Sequence, residues 1–236
     1  MNGPDEYTMW LERAVTGRND AELRRAYDEL IIRVKRIDPL TVADTTGGSY
    51  RAEGIPRVVI PFLQSWFLLE FLPYRVRAAH QEFDTLPLKV LVLHHVAVAA
   101  ENQGSAVRVM GKWVDIRSLQ HGAFLGAHLA GTIPMMLGRF FALEREQRIA
   151  QILRWGGRQI DLADEGYLFH FFPRLPMALI NWIGDEELPA SSKVLYDVSA
   201  SNYMPTHGIA ALTQFLVHRL AGKEEEKQDQ QAGAEP

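Results

Sequence analysis

Tyr167-Leu168-Phe169-His170-Phe171-Phe172-Pro173-Arg174-Leu175-Pro176-Met177-Ala178-Leu179-Ile180-Asn181-Trp182-Ile183 is the stretch on which the fold turns. Aromatic and branched residues crowd both sides of a proline-bracketed centre. This predicts two strands, Tyr167–Phe172 and Met177–Ile183, joined by a rigid turn. His170 alternates with Phe169 and Phe171, so it points away from them. The second strand runs directly into Gly184-Asp185-Glu186-Glu187-Leu188-Pro189. Adjacent carboxylates repel, so this turn needs a capped backbone, a basic partner or a ligand. Arg174 reads first as a structural salt bridge to an acidic loop, and second as an anion clamp.

Outward from this hairpin, helices alternate with extended segments. Asp5–Val15 and Asn19–Arg36 read as helices, the second with Leu23, Tyr27, Leu30, Ile31 and Val34 on one apolar face. Asp38-Pro39 stops it, and Thr45–Gly54 reads as a polar loop. Arg57–Phe62 and Trp66–Phe71 form a second hairpin, with Pro61 placing the first strand at an edge or bulge. Leu86–Glu101 is a helix apolar nearly all round, hence central. Gly111–Ile116 is short and extended. Two or three helices follow between Ser118 and Trp155, broken near Pro134 and at Gly156-Gly157. Glu144 and Arg148 make an i,i+4 pair on an exposed face. Val194–Tyr196 is strand-like, and Thr206–Leu220 is a final amphipathic helix. The fold class is α+β: a small antiparallel sheet packed against several helices. An N-terminal helical segment (1–37) precedes this domain (38–221), and a solvated, disordered acidic tail (222–236) follows it.

The composition narrows the function classes. The 236 residues carry a net charge of −4, and 23% are charged. The segment from Lys223 onward holds Glu224, Glu225, Glu226, Asp229 and Glu235 against Lys223 and Lys227, leaving the body near neutral. That is no footprint for nucleic acid or an anionic membrane. Arg outnumbers Lys by 19 to 6, which suits carboxylate or phosphate pairing but follows equally from genome composition. There is no cysteine, so this chain supplies no disulfide, thiol nucleophile or thiolate ligand. Ala123–Leu143 is apolar but interrupted by His128, Thr132, Pro134 and Arg139, and reads as a buried helix pair rather than a membrane span. The N-terminus shows no signal-peptide pattern, so the expectation is a cytoplasmic protein with no transmembrane segment.

The candidate chemistry sits in two places. Asp185, Glu186 and Glu187 suit a hard cation or a general acid or base, with Asp197 as a further oxygen donor. The bland alternative is a strand exit where one acid caps local amides. His94 and His95 are neighbours on one helix and point about 100° apart, so at most one faces a cavity while the other packs. A Ser199 or Ser201, His207 and Asp197 triad lacks a nucleophile elbow. The phosphate-loop, dinucleotide, zinc-protease and EF-hand patterns are all absent.

From Val90 onward the landmarks resemble an uncharacterised prokaryotic domain-of-unknown-function family, found mainly in anaerobes. The matching residues are the Leu93-His94 helix, Gly111-Lys112-Trp113-Val114, Gly156-Gly157, Phe172-Pro173-Arg174-Leu175-Pro176 and, most specific, Trp182-Ile183-Gly184-Asp185-Glu186-Glu187-Leu188-Pro189-Ala190 before Leu195-Tyr196-Asp197. The resemblance implies an accessory role near iron–sulfur or corrinoid partner proteins in redox or methyl-transfer metabolism. It transfers no catalytic residues. The resulting expectation is a binding or accessory protein for a cofactor, metal or small anionic ligand. Arg174, His94, Trp182 and Asp197 are its ligand-binding candidates. An enzyme using Asp185 and Glu187 as acid or base, and a non-catalytic scaffold, are the alternatives. The identity of any cofactor or metal stays open.

Overall fold

The computed structural model describes residues 20–102, 108–129, 131–187 and 189–222. The expected helix over Asp5–Val15 and the tail from Lys223 lie outside them. The architecture is α+β, with two antiparallel sheets where one was expected.

Helix α1 (Asp20–Val34) buries Leu23, Leu30 and Val34, the stripe its periodicity predicts. Asp38-Pro39 then does two things at once. It ends the preceding segment and opens α2 (Pro39–Thr46), where Asp38 accepts the Thr41 amide at 3.0 Å and Pro39 occupies the first turn. The expected loop over Thr45–Gly54 is thus a helix end, followed by strand β1 (Ser49–Arg51).

Strands β1, β2 (Arg57–Phe62), β3 (Ser65–Phe71) and β4 (Tyr74–Ala78) form the first sheet in sequence order. Pro61 lies in an interior strand, yet β1 covers only Arg57–Val59, so at Pro61 the missing N–H faces no partner. Helix α3 (Leu86–Glu101) packs against α1 and α2. Its burial on nearly every side matches its uniformly apolar sequence.

The second sheet has the order β5-β9-β8-β7-β6, built from β5 (Trp113–Val114), β6 (Arg158–Ile160), β7 (Glu165–Phe172), β8 (Leu175–Trp182) and β9 (Ser191–Asp197). The turn between β7 and β8 is only Pro173-Arg174. Pro176 falls inside β8 because the register shifts between His170 and Phe172, an irregularity that tolerates a residue without a donor. Phe62 of the first sheet meets Phe171 and Phe172 of the second, and also Phe83, so one apolar core runs through both.

Three short helices, α4 (Gly122–Leu129), α5 (Thr132–Phe141) and α6 (Arg145–Arg154), precede β6, and α7 (Thr206–Leu220) closes the fold. The expected break near Pro134 falls just before it, between the end of α4 at Leu129 and the start of α5 at Thr132, and Pro134 occupies the first turn of α5. Arg148 does not serve an exposed pair with Glu144. It reaches Glu165 at 2.8 Å and the Phe141 carbonyl at 3.1 Å, tying α6 to β7 and to the end of α5. Trp155 caps α6, and Gly156 follows at φ 72°, the left-handed turn that ends a helix. A Cβ on Gly157 would stand 2.4 Å from the Phe169 ring, so α6 docks on the sheet only with glycine there. Among the described residues no helix is long and apolar enough to cross a membrane.

Candidate functional site

The residues singled out by sequence separate into two groups at opposite ends of the second sheet. Arg174 precedes β8 and the acidic turn follows it; eight strand residues put them about 26 Å apart. Around Gly184 every residue through Glu187 is exposed. Asp185 Oδ1 accepts the Glu187 amide at 2.9 Å, and Asp164 accepts the Ile183 amide at 2.7 Å, so two carboxylates hold the strand exit. Trp182 lies at this end, 38% exposed, with the Lys193 ammonium 5.5 Å over its ring. Asp185, Glu187 and Trp182 are therefore remote from Arg174.

At the other end the pairing of Met177 with Tyr196 puts Arg174 and Asp197 at the same end of β8 and β9, while His94 lies on α3 against His207 of α7. Among the described residues Arg174 pairs with neither the acidic turn nor Asp197. It sits half-buried beside the cap of α2, where Gly47 leaves room for Pro173 and Arg174. Asp197 is fully buried and accepts four bonds: Met110 N at 3.2 Å, Gly111 N at 2.7 Å, and Ser199 N and Oγ at 2.9 and 2.5 Å. Burial alone would raise its carboxyl, but the Ser199 hydroxyl and the three amides outweigh it and hold the group below the ordinary range. That arrangement clasps the chain entering β5 and leaving β9. It satisfies the carboxylate from within the protein.

The two adjacent histidines diverge as helix geometry requires. His95 donates from Nδ1 to the Tyr203 carbonyl at 2.9 Å and stacks on Phe172 at 3.9 Å and 7°. Burial brings its pKa down to about 4. His94 meets His207 edge-on, ring centroids 5.9 Å apart, and burial followed by that second imidazole brings it down to about 3. Both are neutral packing groups at neutral pH. Among the described residues no three His, Asp or Glu side chains are grouped to hold a metal ion.

A different place gathers unmet polar groups. The last turns of α5, α6 and α7 converge on a cavity of about 750 Å³, within the range of small-molecule sites. Arg139, Arg154, Arg219 and His218 line it, one or two from each helix end. No described lining residue is acidic. A cation in a helix's last turn is ordinarily explained by the macrodipole, about half a negative charge per end. Here three such cations, one from each helix end, line a single cavity.

Trp155 forms the floor. It is 2% exposed, with the Arg154 and Arg219 guanidinium carbons 5.5 and 5.6 Å from its ring centroid. Its indole Nε1 and the Gln151 Oε1 are both buried and lack a hydrogen-bond partner among the described residues. Left unmet, each such atom costs about 1–3 kcal/mol. Met135 and Met136 supply an apolar wall. None of these residues was singled out as a site from sequence. The available signal was a basic residue in the last turn of three successive helical segments.

Fold and site together describe an α+β domain with a basic, aromatic-floored cavity at converging helix ends. The family described as Domain of unknown function (DUF3786) matches residues 38–219, and the chain belongs to it. The match begins at the Asp38 cap of α2 and spans every cavity residue except Gly222. No curated protein and no solved structure matches the chain.

Proposed function

We propose that this chain is a soluble, cytoplasmic binding protein for a small organic anion, taken up by the cavity at the ends of α5, α6 and α7. The observation that carries this reading is the convergence of Arg139, Arg154 and Arg219 on one cavity with no described acidic lining residue. Like charges gathered beside one another repel, and a bound anion lowers that repulsion. Among the described lining residues none is Ser, Thr, Lys or an acid, so binding is the activity this arrangement supports best.

The test is isothermal titration of the full chain with sodium phosphate and with citrate at low ionic strength. Saturable binding that weakens at least tenfold in Arg154→Gln/Arg219→Gln is the expected result. No heat from either anion with the unsubstituted protein would overturn the proposal. An accessory role beside an iron–sulfur or corrinoid protein in anaerobic metabolism belongs to the same proposal, and stoichiometric copurification of such a partner tests it. The alternative enzyme built on Asp185 and Glu187 has less behind it, because both acids are exposed and Asp185 already caps the turn.

A further inference from the structure

We infer that the open face of the first sheet receives the acidic exit of β8 from a second copy of this chain, a contact independent of the helix-end cavity. Strand alternation gives the sheet two faces. Val58, Ile60, Phe62, Phe67 and Leu69 lie on one and are buried in the core. The register assembles the other in rows. Pro61 pairs with Trp66 and Val59 with Leu68, while Arg51, Arg57, Glu70 and Arg75 lie side by side across all four strands. Arg77 stands beside Leu68. Trp66 is 45% exposed, Pro61 is exposed, and Val59 and Leu68 are half-buried. Among the residues of these strands Glu70 is the only acid, and Arg75 and Arg77 already share it. An apolar patch with a basic margin fits a partner that is both apolar and acidic. The β4 edge is closed to it, because the Val76 and Ala78 amides donate to Tyr27 Oη and Asp84 Oδ1. A partner therefore meets the face.

The chain carries such a partner itself. Where β8 ends, Trp182 and Ile183 are 38% and 64% exposed, and the exposed carboxylates of Glu186 and Glu187 follow. The spacings agree. Trp66 and the arginine row are four residues apart along a strand, about 13 Å. Trp182 and Glu186 are also four residues apart, at most about 14 Å. Within one copy the two surfaces lie apart. Leu63 N donates to the His170 and Phe171 carbonyls at 3.2 and 3.1 Å, which sets the Pro61–Trp66 end of the first sheet against the Pro173 end of β7 and β8. Trp182 ends β8 seven residues beyond Leu175, about 23 Å from that junction. The donor is thus a second copy, and because donor and receiver are different patches the contact runs head to tail.

Sedimentation velocity of the full chain over a hundredfold range of concentration tests the contact. The sedimentation coefficient is expected to rise with concentration at low ionic strength, and less so in about 1 M sodium chloride, where screening acts within about 3 Å. Trp66→Ser on the receiving face and Glu186→Lys/Glu187→Lys on the donor should each weaken association about tenfold or more. An equimolar mixture of these two variants should recover a dimer at the parental affinity, since one keeps the donor and the other the face. A contact that used the same patch on both copies would not recover in this way. A mixture that stays monomeric, or variants that associate as the parent does, would overturn the inference. A parent that is monomeric at every concentration would also overturn it, and would leave the face to an acidic partner of another kind. Should Trp66→Ser not fold, Arg51→Glu on the same face takes its place.

Discussion

Arg154 and Arg219 come from different helices, yet both lie over the ring of Trp155, at 5.5 and 5.6 Å from its centroid. Trp155 is itself locked by Phe83 and Phe215, whose rings stand 5.9 and 6.1 Å away edge-on. The aromatic floor therefore fixes where two cationic heads reside, and a rigid core element positions two exposed side chains.

Because the two arginines share one ring and one anion, their contributions should not be independent. Arg154→Ala and Arg219→Ala are each expected to weaken phosphate binding about tenfold or more, the scale of one charge-assisted hydrogen bond. The double variant should lose less than the product of the two. Thermal stability should change by no more than about 1 kcal/mol, since exposed cation–π contacts contribute little. A double-mutant cycle by titration calorimetry, run beside thermal melts, checks both halves.

Asp197→Asn should destabilise the fold by about 2–3 kcal/mol, read as a lower midpoint in urea. The amide would turn an N–H₂ donor toward Gly111 N or the Ser199 donors, which approach the carboxylate from both oxygens. The carboxyl is held below its ordinary value when folded. Its contribution is thus present above pH 4 and lost as pH falls through the folded value. A variant as stable as the parent would show that the clasp is dispensable.

The histidines make stability fall in mildly acid solution. The unfolded chain takes up protons near pH 6.5, while folded His95 and His94 resist until about 4 and about 3. The unfolded state therefore binds more protons between those limits, and stability drops as pH falls from 6.5 toward 4 by on the order of a few kcal/mol. Chemical denaturation from pH 7.5 to 4.5 should show this slope, and His95→Asn should flatten part of it. A parent protein with constant stability across that range would contradict the burial described for both rings.

At the acidic turn, Glu187→Gln is expected to be silent in both stability and anion binding. Asp185→Asn should cost less than about 1 kcal/mol, because an amide oxygen can still accept the Glu187 N–H. Loss of phosphate binding in either variant would show the turn reaching the helix-end cavity, which lies on other elements.

Elements with long, consistent patterns were legible from sequence: α3 over Leu86–Glu101 and α7 over Thr206–Leu220 have the predicted bounds, and the β2–β3 hairpin is nearly so. Those that were missed are short. Strands β1 and β6 have three residues each at sheet edges, too few to show alternation. Helix α2 was hidden because Asp38-Pro39 signals a stop and a start alike. The Glu144–Arg148 pairing failed for a different reason: spacing along a helix cannot reveal that Glu165, 17 residues on, competes for the same guanidinium.

By itself the sequence determined the α+β class, the buried faces of the long elements and the two proline-bracketed strands, because periodicity and backbone preference are local properties. Only the tertiary structure decided which of the candidate residues lie together. Arg174 and Asp185 are eleven positions apart yet lie at opposite ends of β8, since an extended strand separates what sequence places close together. Arg139, Arg154 and Arg219 span eighty positions yet line one cavity, since the packing of α5 and α6 with α7 brings three helix ends together. Each arginine alone reads as a helix-end cation. Their convergence is a property of packing, and no single helix carries it.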